Sequence, residues 1–372
     1  MTGKVLQAAI TALVIAVLVV TAVLLAGILF PEDQVVTPRI DLAVSGQPPV
    51  FITSSYPFQD RTVTISVLVN GSVYEGAKNA DKSVTIIGNI SENIWITDSY
   101  RAMVDDPAQE PLYLDLLTGF RKIRIEQDLN NDEYLELITV YVQSLQYETL
   151  EENPAKFPVE TVVDRAGDCD DKSLLLAGLL SREGYAVALL SFGPENHMAL
   201  GVGSEDCRFM DTSYTFLETT NVSYVGVVTE KLGNEVSLKS EPIVIPIGDG
   251  TKTYTRCAET RFIYDMTVQS EERAKELEPR LRAIEAELKA KQQEILEMES
   301  RMQHLRSAGN VREYNALVTT HNARVSAYND SLRTYRQLFS QYEKYIIVHN
   351  YIISHEYDRK GVFEYIKANM PV

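Results

Sequence analysis

Hydrophobic positions along this chain follow several different periods in succession. Residues 8–30 are an unbroken apolar run of 23 residues but for Thr11 and Thr21, and a helix of that length spans a bilayer. From residue 37 to 97 the text reads as β structure. Val63, Ile65, Val67 and Val69 alternate with polar neighbours, Asn70-Gly71 reads as a hairpin turn, and further strands are expected at 83–87 and 94–97. From 107 to 145 the period becomes helical, with Leu135, Ile138, Val142 and Leu145 on one face. A loop with Pro154 and Pro158 leads to a helix starting at Cys169 and ending near Gly184, followed by a buried strand at 185–192 that Gly193-Pro194 breaks. Residues 197–202 and 207–211, joined by a turn at 204–206, read as a β-hairpin with His197 and Asp211 on adjacent strands. Strand text continues to Ile245, where Pro246 and Gly248-Asp249-Gly250 interrupt it, and resumes from 253 to 264.

The period then changes to alternating steps of 4 and 3. Leu277, Leu281, Ile284, Leu288, Ile295, Met298, Met302 and Leu305 form one seam, with Lys291 the polar intruder; Ser307 to Asn310 is a turn. Tyr314, Val318, His321, Val325, Tyr328, Leu332, Tyr335, Phe339 and Tyr342 form the second seam. This predicts an antiparallel coiled-coil hairpin of arms about 40 Å long. Pro279 is expected in a first helical turn or at a kink, and His321 as a register-setting seam residue. The tail from 345 to 353 is too apolar to be solvated, so it is expected to pack back on the body or to extend the second helix. The expected organisation is α+β: an anchor (1–31), a β-rich region (32–105), a core (106–265), the hairpin (266–345) and a C-terminal segment (346–372).

Charge narrows the function classes. The net charge of −17 speaks against nucleic acid as a ligand, and the acidic excess sits before the hairpin, because 16 basic and 15 acidic residues balance from Met266 onward. Lys4 precedes the apolar run and Pro31-Glu32-Asp33 follows it. The positive-inside rule therefore places the amino terminus in the cytoplasm and the body outside, as a single-pass cell-membrane protein held in the lipid bilayer by residues 8–30. The run exceeds the apolar region of a cleaved signal peptide. Sequons at Asn70, Asn89, Asn221 and Asn329 fit an external location. Of three cysteines, Cys207 and Cys257 lie in strand-like text and are the expected pair, leaving Cys169 free; three free thiols are the alternative.

The chemistry concentrates at Gly167-Asp168-Cys169-Asp170-Asp171-Lys172. A cysteine at a helix start meets unpaired N–H groups and the positive end of the dipole, which favour the thiolate. The plainer explanation is an Asp168 cap, two dipole-matching carboxylates and a bystander cysteine. Partners follow in the chain, however. His197 lies 28 residues on and Asp211 another 14, and the other four histidines all fall in the C-terminal helices. A nucleophilic thiol needs an imidazole to take its proton, and the imidazole needs an acceptor that fixes its tautomer.

Gly167-Asp168-Cys169-Asp170-Asp171-Lys172-Ser173, Asn196-His197-Met198-Ala199-Leu200-Gly201-Val202 and Met210-Asp211-Thr212-Ser213 resemble the three signature blocks of the transglutaminase-like superfamily, in its archaeal and bacterial members. Tyr141 to Tyr147 and Phe157 to Thr161 resemble that subgroup's lead-in, so the resemblance covers roughly residues 107–224. It implies a papain-like core with nucleophile Cys169, general base His197, orienting Asp211 and Gln143 as a side-chain oxyanion donor beside the Cys169 N–H. No cofactor is implied. Calcium on Asp168, Asp170 and Asp171 lacks the spacing of a Ca²⁺ loop, and zinc on the cysteines and His197 lacks a paired C-x₂-C unit. Asp170 and Asp171 oppose thiolate formation, so a His197 ion pair must outweigh them; Lys172 is expected to be a solvated first-turn residue. The expected function is a membrane-anchored, extracytoplasmic thiol-dependent peptidase or amidase acting on amide or isopeptide bonds of a protein or peptide substrate. The alternative is a catalytically silent binding or scaffolding module that uses the coiled-coil hairpin to hold a protein partner.

Overall fold

The computed structural model describes residues 33–148, 154–228 and 237–370, with isolated positions (3, 13, 15–17, 20 and 21) before them. The expected membrane helix at 8–30 therefore lies largely outside the described residues, and among those described no helix is long and apolar enough to cross a membrane. The chain divides into two compact units, Met1–Cys257 and Ala258–Val372. The fold is mixed α and β, as expected.

In the first unit, strand β1 (Gln34–Val36) pairs antiparallel with β4 (Thr85–Ile87), and β2 (Val50–Phe58) pairs with β3 (Arg61–Val69) through a two-residue turn. The alternation buries Val63, Ile65, Val67 and Val69 on one face, opposite Tyr56 and Phe58. Two expectations here change. Asn70 does not make a hairpin turn; its side chain accepts the Ser72 N–H and caps a helix at Gly71–Asn79. A Cβ on Gly71 would meet the Pro48 carbonyl oxygen at 1.9 Å, so close backbone approach is what requires glycine there. Residues 94–97 lie inside a helix at Glu92–Val104. The region expected to be β-rich therefore carries two helices, because local capping at Asn70 and packing against the next layer override short β-branched runs.

Helices follow at Glu110–Glu126 and Asn131–Gln143, the second opened by a capping box between Asn130 and Glu133 and burying Leu135, Ile138 and Val142 completely. A short helix at Pro158–Asp164 leads into β6 (Ala166–Gly167), which pairs in parallel with β5 (Gln146–Tyr147). The Cys169–Arg182 helix starts immediately after β6, and Gly184 closes it with φ 81°. It packs on a four-stranded antiparallel sheet in the order β10 (Ile243–Ile247), β7 (Val187–Phe192), β8 (His197–Gly203), β9 (Tyr214–Leu217). Pro246 does not end β10. It pairs with Ala188 on an edge strand, where its missing N–H need cost no ladder bond.

Two further shifts bear on the site. The partner of β8 is not 207–211 but β9, in a register that sets Gly203 opposite Tyr214 and Leu200 opposite Leu217. The segment expected as a strand at 253–264 turns helical at Cys257, which begins a 51-residue helix. Cys207 and Cys257 form the disulfide, with Cα atoms 5.9 Å apart and 50 residues between them, and Cys169 is free. Closing a loop of that length restricts the unfolded chain by about 4 kcal/mol. Replacing both cysteines by serine should therefore lower the unfolding free energy of the first unit by roughly that amount, read as a shift in urea midpoint.

The second unit is a helical hairpin, Cys257–Ser307 and Val311–Ser354, closed at Gly309 with φ 74°. Leu277, Leu281 and Leu288 are buried. Lys291 sits in the seam with its Nζ bonded to Ser331 Oγ at 2.7 Å, and His321 Nε2 lies 3.2 Å from Glu299 Oε1. Phe339 is not in the seam: it is 42% exposed, and Leu338 is the half-buried neighbour. Pro279 lies well inside the first helix rather than in its first turn. The apolar stretch 345–353 extends the second helix, and a third helix, Arg359–Asn369, folds onto the hairpin's base through stacked Tyr351 and Tyr365 (3.7 Å), Phe262 against Phe363 (5.4 Å) and the Arg359–Glu259 ion pair.

Candidate active site

Three segments of the first unit meet around Cys169: the start of its own helix, the start of β8 and the chain leaving β9. Asp168 caps the helix. Its Oδ1 accepts the Asp171 N–H at 3.3 Å, and Asp171 Oδ2 accepts the Asp168 N–H at 3.2 Å, closing a capping box. This leaves the Cys169 backbone N–H with no protein acceptor among the described residues, so it is available to an oxyanion.

His197 opens β8 and is buried to 9% exposure. Its Nε2 lies 3.3 Å from Glu218 Oε2. The other oxygen, Oε1, accepts from the Thr219 N–H (3.0 Å), the Thr220 N–H (2.8 Å) and the Thr220 hydroxyl (2.6 Å). Burial raises the Glu218 carboxyl, but His197 and the Thr220 donors outweigh it and hold the carboxyl below the usual glutamate range. Glu218 is therefore an anion fixed beside the imidazole, its Oε2 and the His197 Nε2 facing each other within ion-pair range and neither atom having a hydrogen-bond partner elsewhere among the described residues.

Thr219 ties this pair to the cysteine: its Oγ1 is 2.9 Å from Ser173 Oγ and donates to the Cys169 carbonyl at 3.4 Å. The Met198 and Asp170 N–H groups face the Cys169 sulfur and stabilise its anion, yet burial and the Asp170 and Asp168 charges dominate and push the thiol up to about 12. In the resting site Cys169 is a thiol. Asp170 is itself raised by burial and by sharing a hydrogen bond with Asp168, and Asp171 is raised to about 6 by burial and by Asp168. Replacing Asp170 by asparagine removes the foremost charge opposing the thiolate. Alkylation of Cys169 at pH 8 should then accelerate, read as the rate constant for modification of its own peptide.

The sequence-derived residues divide as follows. Cys169 and His197 come to the same place, with the thiol against the amide that follows His197. Asp211 does not join them. It is an exposed residue of the turn between β8 and β9 and makes no hydrogen bond or ion pair to His197. Glu218 occupies the position expected of Asp211. The β8–β9 register continued by one residue sets Glu218 across from Ala199, on the same face as His197. Gln143 is buried beside this segment, but its amide is consumed: Nε2 donates to the Glu218 carbonyl (2.7 Å) and the Ser223 carbonyl (3.1 Å), and Oε1 accepts the Ser223 N–H (3.4 Å). It positions the 218–223 segment and has no donor left for an oxyanion.

Two residues enter from outside the expected set. Lys172 is completely buried rather than solvated, and its Nζ donates to the carbonyls of Gln143 (3.0 Å), Leu145 (2.9 Å) and Thr220 (3.0 Å). Burial lowers its pKa to about 8 against the pull of Glu218, so it remains an ammonium at neutral pH and satisfies three backbone acceptors. Tyr100, on the Glu92–Val104 helix, sits beside the cysteine loop: burial, then the Asp170 and Cys169 charges, keep its hydroxyl protonated. Asp168, Cys169 and Asp170 place one donor atom each within 4.8 Å of one another. With Asp168 committed both to the capping box and to a hydrogen bond with Asp170, the two carboxylates do not present the six or more free oxygens of a hard-cation site.

No protein-family model matches the chain, and no curated protein or solved structure matches it.

Proposed function

We propose that this chain is a thiol-dependent acyl-transfer enzyme, a peptidase or amidase that cleaves amide or isopeptide bonds, with Cys169 as nucleophile, His197 as general base and acid, and Glu218 as the orienting carboxylate. The observation that carries the reading is the buried His197–Glu218 pair, 3.3 Å apart, at the strand end whose next amide faces the Cys169 sulfur. Resemblance to the transglutaminase-like superfamily in the Cys and His blocks supports it, and Glu218 takes the part that the third block would give Asp211.

The chemistry follows from the arrangement. As Cys169 Sγ attacks the scissile carbonyl, its proton passes to His197, whose imidazolium is stabilised by Glu218. The tetrahedral oxyanion meets the Cys169 N–H at the helix start. His197 then returns the proton to the leaving amine, and water hydrolyses the thioester. A thiol at about 12 fits a site in which the proton moves only as the substrate carbonyl arrives and displaces water. The apolar run at 8–30 and the Cys207–Cys257 disulfide support a membrane-anchored protein with its body in an oxidising, extracytoplasmic compartment.

The same raised thiol favours a second reading, a catalytically silent module whose working surface is the hairpin. The two are separated by mass spectrometry of a membrane-associated proteome incubated with the full-length protein. The enzyme reading expects new amino termini or released amines with wild type that are absent with Cys169→Ala; identical product sets support the silent module.

A further inference from the structure

The β2–β3 ribbon leaves one strand edge open. A two-residue turn makes Phe58 and Arg61 a hydrogen-bonded pair, and such pairs alternate along an antiparallel ribbon. The N–H and C=O groups of Phe51, Thr53 and Ser55 therefore point away from β3. The same parity holds on the other strand, where the outward Leu68 N–H is taken by Asp115 Oδ2 at 3.0 Å. On the β2 side nothing equivalent exists: among the described residues the main-chain groups of Thr53 and Ser55 have no partner. Pro57 occupies the next outward position, which shows that a missing N–H is tolerated along this edge.

A polar cleft of about 400 Å³ runs beside this edge, lined by Ser54, Ser55, Ser144, Gln146, Asp164 and Arg165. Ser54 Oγ is buried and lacks a hydrogen-bond partner. The far wall is β5 and the residue that precedes β6, and the chain passes from that wall straight into the active site. Arg165 is four residues before Cys169, so their Cα atoms are at most about 14 Å apart, the span of about four extended residues.

We propose that the outer edge of β2 is the docking strand for one extended segment of polypeptide, which pairs with Thr53 and Ser55 by main-chain hydrogen bonds and runs along the cleft toward Cys169. An open edge recognises backbone, and the hydroxyl-lined cleft accepts short or polar side chains at alternate positions. A second copy of the chain fits less well, because self-pairing along this edge would set a Pro57 without an N–H to give in each of the two strands, whereas a bound segment meets only one. That the bound segment is substrate rests on the reading of Cys169 as nucleophile; that it binds does not.

The test uses full-length protein carrying Cys169→Ala, so that binding is read without turnover. The probe is fluorescein-labelled, reduced and carboxamidomethylated ribonuclease A, an unfolded basic chain, followed by fluorescence anisotropy. Saturable binding is expected, weakened at least tenfold by Ser55→Pro and changed less than twofold by Thr62→Pro, which places the same ring on the opposite edge of the ribbon. No saturable binding, or equal effects of the two prolines, overturns the proposal. So does a dimer in light scattering that Ser55→Pro converts to monomer, because the edge is then occupied by a second copy. Binding with this pattern in a protein whose wild type cleaves nothing would sink the enzyme reading and leave the docking strand standing.

Discussion

Replacing Lys172 by methionine should cost the first unit at least about 3 kcal/mol, because it leaves the Gln143, Leu145 and Thr220 carbonyls without a donor in a fully buried position and each orphan costs about 1–3 kcal/mol. Methionine fills the volume of the lysine stem, so the loss reports the ammonium and not a cavity. Set against the 5–15 kcal/mol that holds a typical domain together, this change moves the urea midpoint far or abolishes cooperative unfolding. The three carbonyls belong to the end of the Gln143 helix, the lead-in to β5 and the segment after Glu218. Lys172 thereby fixes the strand that presents Glu218, and a midpoint within experimental error of wild type would contradict that role.

Replacing Glu218 by glutamine should slow reaction of Cys169 with an amide substrate or with iodoacetamide by about 10²-fold or more, the range for losing a group that orients and stabilises a catalytic imidazole. The amide keeps the shape and can still accept at Oε1, so the Thr219 and Thr220 N–H bonds persist; the anion facing His197 at 3.3 Å is lost. Asp211→Asn is the control. An exposed turn residue with no contact to His197 should leave the rate unchanged, and a large effect there with none at Glu218 would restore the assignment read from sequence. Acid sensitivity carries a matching sign. Glu218 is held below its ordinary pKa, so the stability it contributes is present above the unfolded carboxyl pKa and is lost as pH falls through the lowered folded value.

Much of the architecture was legible because periodicity is a local property. The Val63–Val69 alternation, the Leu135–Val142 face, the Cys169 helix with its Gly184 stop and the long hairpin all appear where their spacing puts them. Short apolar runs misled where a cap decided the outcome: Asn70 capped a helix, and residues 94–97 and 257–264 were absorbed into helices whose periods run well beyond those few residues. At the site, Cys169 and His197 were readable because a helix start and a strand start mark them. The carboxylate that lies beside His197 is Glu218 and not Asp211, because the β8–β9 connection is longer than a tight turn and the strand begins at Tyr214, not Cys207. Tyr214-Thr215-Phe216-Leu217 was the signal that would have moved the strand and brought Glu218 to its end. The burial of Lys172 had no local mark, since its three acceptors come from segments 27, 29 and 48 residues away.

The central claim is that His197 activates Cys169. It is tested most directly by the rate constant for carboxamidomethylation of Cys169 at pH 7, followed on its own peptide by mass spectrometry in wild type and in His197→Ala. The account predicts a rate at least about 10²-fold lower in the variant, with the Cys207–Cys257 disulfide intact in both. Equal rates, at the level of an ordinary buried thiol, would contradict it.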